Sequence, residues 1–465
     1  MQEQEFKDIG IIGAGYVGLS IAAALLEQGY NVCVYEAVKE KRDNLKSENI
    51  YISEPGVTVQ ITGRPQRFVV ADTLYDMFQY CHLIFVCVGT PSDINGDVDL
   101  QYVKQVAKEI GQEIQNKITK THIILKSTVP PGTTRMFERI IAEHSGIEKD
   151  LLDKEFYYSV YYSPEFLAEG TAIRDFNEPD KVVIGYGNNK MKYKVENWLK
   201  NYHREVMGRE FNKIVSTTWE NAEMIKYANN AFLATKITFI NQIANICETI
   251  KGGDVEIIAK ALGMDRRISP HFLRAGLGYG GSCFTKDLNA LAIFAEKQGA
   301  NGDMFESINW YNFNQRIKPV YLLFDKWGFD MKNKTVAILG LTFKPDTDDT
   351  RDSPALDIIE RLLRNDMKVK VHDPLAKIDS SGKFIGVKQT VTPKEALKDA
   401  DAVIICTEWN QYRELTAEDY RLLMREPMVI DGRGVINDPE SFIRQGIEYY
   451  GIGYATYRTE ISTTN

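Results

Sequence analysis

Three glycines in Gly13-Ala-Gly15-Tyr-Val-Gly18 stand directly after an apolar run, Asp8–Ile12, and directly before a stretch of helical periodicity, Val17–Gln28. No other feature constrains the fold of this chain as strongly. A strand that turns through glycine into a helix offers the helix's first amides, and its partial positive charge, to a phosphate. Gly13 makes the turn, Gly15 opens the backbone to a pyrophosphate, and Gly18 lets helix and strand pack closely. Glu36 closes the next apolar run, Asn31–Glu36, at 36 − 18 = 18 residues past the last glycine. A carboxylate there accepts from the adenosine ribose hydroxyls and repels a 2′-phosphate, so the pattern favours NAD over NADP.

The same alternation continues. Leu83–Val88, Thr121–Lys126, Tyr157–Tyr162 and Val182–Gly185 read as strands, and segments such as Val103–Gln115 read as helices. Strands alternating with helices predict a parallel, doubly wound sheet. From Ser216 to Lys251 there is neither Gly nor Pro, and Met224, Ala228, Phe232, Ile240, Ala244 and Cys247 recur at helical spacing. Thr217-Thr-Trp-Glu220 fits a capping box at its start and Gly252-Gly253 a stop. Such a helix, if continuous, spans about 50 Å. After about Asp330 the alternation resumes with Lys334–Leu339, Lys368–His372, Ala402–Cys406 and Met428–Asp431. The expected fold is therefore α/β, with two Rossmann-like doubly wound domains joined by a helical central domain carrying a long spanning helix. Its expected divisions are 1–212, 213–328 and 329–465.

Composition excludes several classes. Lys plus Arg is 56 against Asp plus Glu 64, a net −8, which lacks the basic footprint of a nucleic-acid-binding protein. Four charges in Met1–Asp8 argue against a secretory signal, and no apolar stretch approaches the ~20 residues of a membrane span. Six cysteines form no C-x-x-C pair, so no metal site is expected. Cys33, Cys87 and Cys406 lie in strand-like apolar runs and read as buried hydrophobes in a reducing, cytoplasmic setting.

Cys283 is different. In Gly278-Tyr-Gly-Gly-Ser-Cys283-Phe-Thr-Lys-Asp287, glycines precede it and a Lys and an Asp follow it. That fits an exposed thiol in a tight loop near a helix start, where thiolate is stabilised. Lys226 and Asn230, four apart, share a face of the long helix. They could donate to a developing oxyanion, although a solvated helix face is the plainer reading of two such residues.

Taken together, these residues resemble the nucleotide-sugar 6-dehydrogenases, from the Gly13 loop to Val429–Gly432. Supporting motifs are Val88-Gly-Thr90-Pro91, Ser127-Thr128-Val-Pro-Pro-Gly132 and Ser163-Pro-Glu165-Phe166-Leu167-Ala-Glu169-Gly. Others are Asn221-Ala-Glu-Met-Ile-Lys226-Tyr-Ala-Asn-Asn230 and Leu341-Thr-Phe-Lys344-Pro-Asp-Thr-Asp-Asp-Thr-Arg351. The resemblance implies oxidation of a primary alcohol to a carboxylate through a covalent adduct on Cys283, with two NAD consumed. It implies that Lys226 and Asn230 stabilise negative charge, that Asp287 orients water and Lys226, and that Thr128 and Glu165 hold the hydrolytic water. It further implies cofactor contacts from Gly13, Gly15, Tyr16, Val17, Gly18, Glu36, Lys41, Thr90, Thr128, Glu169 and Arg351. Sugar-nucleotide contacts follow from Glu165, Phe166, Leu167, Glu169, Lys226 and Asn230, and from Phe272, Leu273, Gly276, Gly280 and Lys344. Arg267 corresponds to an arginine reaching the neighbouring subunit's site, so a homodimer or larger homo-oligomer is implied. The form of the Cys283 loop points to UDP-glucose; GDP-mannose is the alternative substrate, and a non-catalytic ligand-binding regulator a remote one. Two residues depart from the common pattern, Thr285 where many relatives have Pro and Ala168 where many have Arg.

Overall fold

The computed structural model describes residues 6–115, 120–146, 157–187, 193–328 and 331–454. The chain divides into two compact units, Met1–Asn229 and Asn230–Asn465.

In the first unit eight strands form one sheet: β1 (Asp8–Ile12), β2 (Asn31–Tyr35), β3 (Phe68–Val70), β4 (Leu83–Val86), β5 (Thr121–Leu125), β6 (Tyr158–Tyr162), β7 (Val182–Tyr186) and β8 (Ile214–Thr218). Their order is β3-β2-β1-β4-β5-β6-β7-β8, parallel throughout except where β6 meets β7. The strands are apolar on both faces because helices cover both. Ile9 and Ile11 pack with Leu19 and Ile21 of helix Tyr16–Glu27, while Ile12, Ile84 and Val86 pack with Val103 and Ile110 of helix Gln101–Ile114. The order reverses between β1 and β4, and such a reversal is where doubly wound sheets bind their ligands.

The second unit holds the helices Val255–Met264, Phe284–Lys297, Asp303–Arg316 and Lys318–Trp327, then a six-stranded parallel sheet. Its strands are β9 (Thr335–Leu339), β10 (Lys368–His372), β11 (Lys388–Gln389), β12 (Ala402–Ile405), β13 (Met428–Asp431) and β14 (Glu448–Gly451), in the order β11-β10-β9-β12-β13-β14. With β9 in the place of β1 this repeats the inner order of the first sheet. The likeness reaches single hydrogen bonds. Gly13 N donates to Tyr35 O (2.9 Å) and Gly340 N to His372 O (2.8 Å), and both glycines sit at φ near +96° and +97°. In the second copy, however, the loop amides of Leu341 and Thr342 donate to Asp373 Oδ2 (2.7 and 3.3 Å), so the chain's own carboxylate fills the turn.

Strands β3, β8, β11 and β14 lie outside the runs that read as strands, and one helix starts later than its capping pattern suggests. The long helix runs Trp219–Cys247, 29 residues or about 44 Å. Ser216, Thr217 and Thr218 belong to β8, paired with Ile184, Gly185 and Tyr186 of β7. Ladder hydrogen bonds with β7 win over the capping pattern, and the cap falls one residue later, with Thr218 Oγ1 accepting from Asn221 N (3.3 Å). Glu220 turns to Arg135 Nε (2.8 Å), so there is no capping box. The helix also stops five residues before Gly252. Of its expected apolar face, Ile240, Ala244 and Cys247 are buried, but Phe232 is exposed. No described helix is long and apolar enough to cross a membrane.

Candidate active site

The glycine loop separates its own structural needs from those of a ligand. A Cβ on Gly13 would stand 2.8 Å from Cys87 O, and one on Gly18 only 2.0 Å from Gly13 O. Both glycines are required by the chain itself. Gly15, by contrast, faces open space, with no heavy atom within 4 Å of a Cβ placed there, and as N-cap it lends no side chain to the helix amides. Such a cradle fits a pyrophosphate. Glu36 stands beside it, Oε2 accepting from Ala14 N (2.9 Å) and Oε1 from Val38 N (3.0 Å). Tyr51 Oη donates to Ala14 O (2.7 Å), with Lys41 Nζ 5.6 Å from the Tyr51 ring centre. Tyr16 Oη accepts from Gly170 N (3.0 Å), next to Glu169, while Val17 packs on the core. Thr90 is half-buried just past β4. These residues suit a dinucleotide with free ribose hydroxyls.

A second group in the same unit is ionic and buried. Lys226 Nζ lies 3.0 Å from Glu165 Oε1, with side chains only 5% and 11% exposed. Leu167 N donates to Glu165 Oε2 (2.6 Å), and the Phe166 ring lies 5.3 Å from Lys226 Nζ. Burial pushes the Glu165 carboxyl up, but Lys226, the Leu167 amide and Lys126 together outweigh it and hold the group below the usual range. Lys126, donating to Pro164 O (3.2 Å), is pushed down by burial to about 8. Two residues on is Thr128, half-buried in the loop after β5. Ser127 Oγ pins one end of that loop to Val88 O (2.7 Å). The other end is held by Glu223, which accepts from Gly132 N, Thr134 N and Thr134 Oγ1, each at 2.6 Å. Glu223 lies three residues before Lys226 on the long helix, so one helix face serves the ion pair and the loop.

In the second unit Cys283 is the N-cap of helix Phe284–Lys297, and Asp287 N donates to its carbonyl (2.8 Å). Asp287 is buried, Oδ2 accepting from Asn230 Nδ2 (2.7 Å) and Oδ1 from Lys286 Nζ (2.6 Å). All six cysteines are free thiols, and Cys283 is the exposed one. Cys33 is half-buried; Cys87 and Cys406 are buried just past β4 and β12, where burial pushes both thiols up to about 12. They match the filler reading.

The stretch Phe272–Gly276 is tightly held. Phe272 has φ +63° and meets the Phe284 ring edge-on, Leu273 is buried, and Gly276 N donates to Asn241 Oδ1 (2.8 Å). A Cβ on Gly280 would stand 2.4 Å from Asp352 O. Lys344 Nζ lies 5.5 Å from the Phe343 ring. Arg351 and Arg267 are each folded back on a carboxylate two residues away, Asp349 and Asp265 (2.6 and 2.5 Å). Lys126, Glu223, Arg316 and Asp352 carry no signal in the sequence that marks them for the site. Glu223 lies inside a motif already quoted and Lys126 closes a strand-like run, but nothing in their spacing announces burial.

A doubly wound sheet with this glycine cradle, a carboxylate beside it and an exposed helix-start thiol defines a pyridine-nucleotide oxidoreductase. Comparison with known proteins narrows the class. A UDP-glucose 6-dehydrogenase of Bacillus subtilis is 37% identical over 456 residues, 97% of this chain and 94% of that one. One from Pseudomonas aeruginosa is 35% identical, covering 95% and 96%. A UDP-glucose dehydrogenase structure from Pyrobaculum islandicum matches with TM-score 0.85 at 31% identity, covering 98% and 99%. Family models for the UDP-glucose/GDP-mannose dehydrogenase NAD-binding, central and UDP-binding domains match residues 7–204, 220–314 and 337–438. The chain belongs to the UDP-glucose/GDP-mannose dehydrogenase family. It is an NAD-dependent oxidoreductase with a UDP-binding domain.

Proposed function

We propose that the protein oxidises the primary alcohol of UDP-glucose to the carboxylate of UDP-glucuronate through a covalent adduct on Cys283. The observation that carries this reading is an exposed thiol at a helix start, with the buried Asn230–Asp287 pair one turn along. Bound NAD supplies the hydride acceptor for each of two oxidations, held by Gly13, Gly15, Gly18, Glu36 and the residues around them. The chain's own groups supply the rest. The Cys283 thiolate adds to the aldehyde carbon, giving a thiohemiacetal whose alkoxide Lys226 and Asn230 stabilise. Oxidation at that carbon leaves a thioester, and water held by Thr128 and Glu165 attacks it, returning the thiol and the acid. A low-lying Glu165 stays ionised and can accept a hydrogen bond from that water, orienting it for attack.

The chain divides by task in this reading: 1–212 for NAD, 213–328 for the helix and thiol, and 329–465 for the UDP moiety. Phe232, Phe239 and Ile246 recur every seven residues on the long helix, all about half-exposed or more, which supports a dimer packed on that helix with Arg267 reaching its neighbour. Six free thiols suit the cytoplasm.

The test is stoichiometry and a nucleophile swap. UDP-glucose yields two NADH per sugar, GDP-mannose yields none, and Cys283→Ser forms no net acid. One NADH per sugar, or a fully active Cys283→Ser, overturns the mechanism. A preference for GDP-mannose overturns the substrate alone.

A further inference from the structure

The turn that carries Cys283 is gripped from one helix face. On Asp303–Arg316, residues Asn309, Asn312 and Arg316 follow at spacings of three and four, so they align. Asn312 grips Tyr279 at both main-chain atoms, Oδ1 accepting from its N (2.8 Å) and Nδ2 donating to its O (3.1 Å). Asn309 accepts from Tyr279 Oη (2.8 Å) and donates to Thr285 O (3.2 Å).

Arg316, 4% exposed, uses every donor it has. Nε and Nη2 donate to Tyr279 O (2.9 and 2.6 Å), Nη1 and Nη2 to Asp352 (2.6 and 2.7 Å), and Nη1 also to Asp357 (3.0 Å). A lysine cannot reproduce that planar fork.

Asp352 then turns outward to the thiol's own helix. Its Oδ2 accepts from Thr285 Oγ1 at 2.6 Å, two residues past Cys283. Asp352 has φ +52°, in the left-handed region that aspartate tolerates better than most residues. Next to it, Arg351 O accepts from Gly281 N (3.0 Å), two residues before Cys283. The thiol is thus bracketed on both sides by one loop, which Arg316 anchors in the interior.

We propose that Thr285, anchored through Asp352 and Arg316, is a positioning residue for the Cys283 thiol. It fixes the first turn of the thiol's helix against the loop that carries Arg351. The proposal rests on the reading of Cys283 as nucleophile. Thr285→Val keeps the side chain's shape and leaves Arg316 on Asp352, so the fold is retained while the bracket opens on one side. Attack geometry is steep enough that a shift near 1 Å costs on the order of 100-fold, and a looser first turn is expected to cost about tenfold in kcat.

The experiment uses the full chain and four variants: Thr285→Val, Thr285→Ser, Asp352→Asn and Cys283→Ser. Each is followed by kcat and KM with UDP-glucose and NAD, and the thiol variants by iodoacetamide alkylation of Cys283 across pH, read by mass spectrometry. Thr285→Val and Asp352→Asn are expected to lower kcat together and to change the alkylation rate profile, with KM for UDP-glucose moved less than twofold. Thr285→Ser, which restores the hydroxyl, is expected to recover most of the rate. A lower melting temperature with wild-type kcat and alkylation in Thr285→Val, or failure of Thr285→Ser to recover activity, overturns the positioning role. Should Thr285→Val not fold, Asp352→Asn with wild-type kcat overturns it equally. Net acid formation by Cys283→Ser instead sinks the nucleophile reading, whatever the Thr285 variants do.

Discussion

Glu223 offers a sharp test because the forces on it oppose each other. Its carboxyl is fully buried and accepts three hydrogen bonds at 2.6 Å, each favouring the ionised form. Burial outweighs them, with Glu220 adding to it, and pushes the group from 4.5 up to about 7. At about 1.4 kcal/mol per tenfold, that difference is worth about 3 kcal/mol. The sign follows from proton binding. Below pH 4.5 folded and unfolded chains both hold the proton. Between 4.5 and 7 only the folded chain does, so stability falls as pH rises through this window and is level above it. Glu223→Gln removes the ionisation. Its oxygen can serve Thr134, but its NH₂ then faces Gly132 N–H, which costs about 1–3 kcal/mol at every pH. The wild type should therefore be the more stable at pH 4.5 and lose about 3 kcal/mol of that advantage by pH 8. Urea denaturation of both chains at several pH values reads the difference directly, and groups common to both cancel. Parallel curves, or a wild-type advantage that grows with pH, would refute the argument and show that the three donors dominate.

Three further perturbations separate ligand from scaffold. Gly18→Ala places a Cβ 2.0 Å from Gly13 O and should cost more than about 4 kcal/mol, seen as loss of soluble folded protein. Gly15→Ala meets nothing, so its stability should stay within about 1 kcal/mol of wild type. Its KM for NAD should nevertheless rise by roughly tenfold or more; an unchanged KM would remove the pyrophosphate from Gly15. Glu36→Gln keeps an acceptor for Ala14 N while removing the charge that repels a 2′-phosphate, so the kcat/KM ratio of NADP to NAD should rise by at least about fivefold.

What the sequence revealed depended on whether the signal was local. The glycine turn, Glu36 and the inner strands were legible because strand, turn and helix chemistry lies within a few adjacent residues; Asp8–Ile12, Lys368–His372 and Met428–Asp431 match to the residue. Edge strands were not. Phe68–Val70 has three residues and Lys388–Gln389 two, too few to show a period. Thr217 and Thr218 follow a local capping pattern, but β7, 32 residues upstream, claims their main chain. The exposure of Cys283 could be read from its glycines. The grip of Arg316 on Asp352 could not, since those residues are 36 apart and only the fold brings them together. From spacing alone Lys226 and Asn230 read as an ordinary solvated face. The structure buries both, each on a carboxylate.

The helix from Trp219 to Cys247 also acts as a ruler. The boundary between the compact units falls after Asn229, so Lys226 belongs to one and Asn230 to the other. Both lie on one continuous helix, four residues apart, so their phase along it follows from a single turn of backbone. Adding or deleting a single residue at 227–229 would turn one against the other by about 100°, and no rotamer change could undo that. An exposed side chain on this turn, such as Ala228, can be exchanged at little cost. The turn's length is a dimension with no tolerance: a one-residue insertion or deletion at 227–229 should abolish turnover.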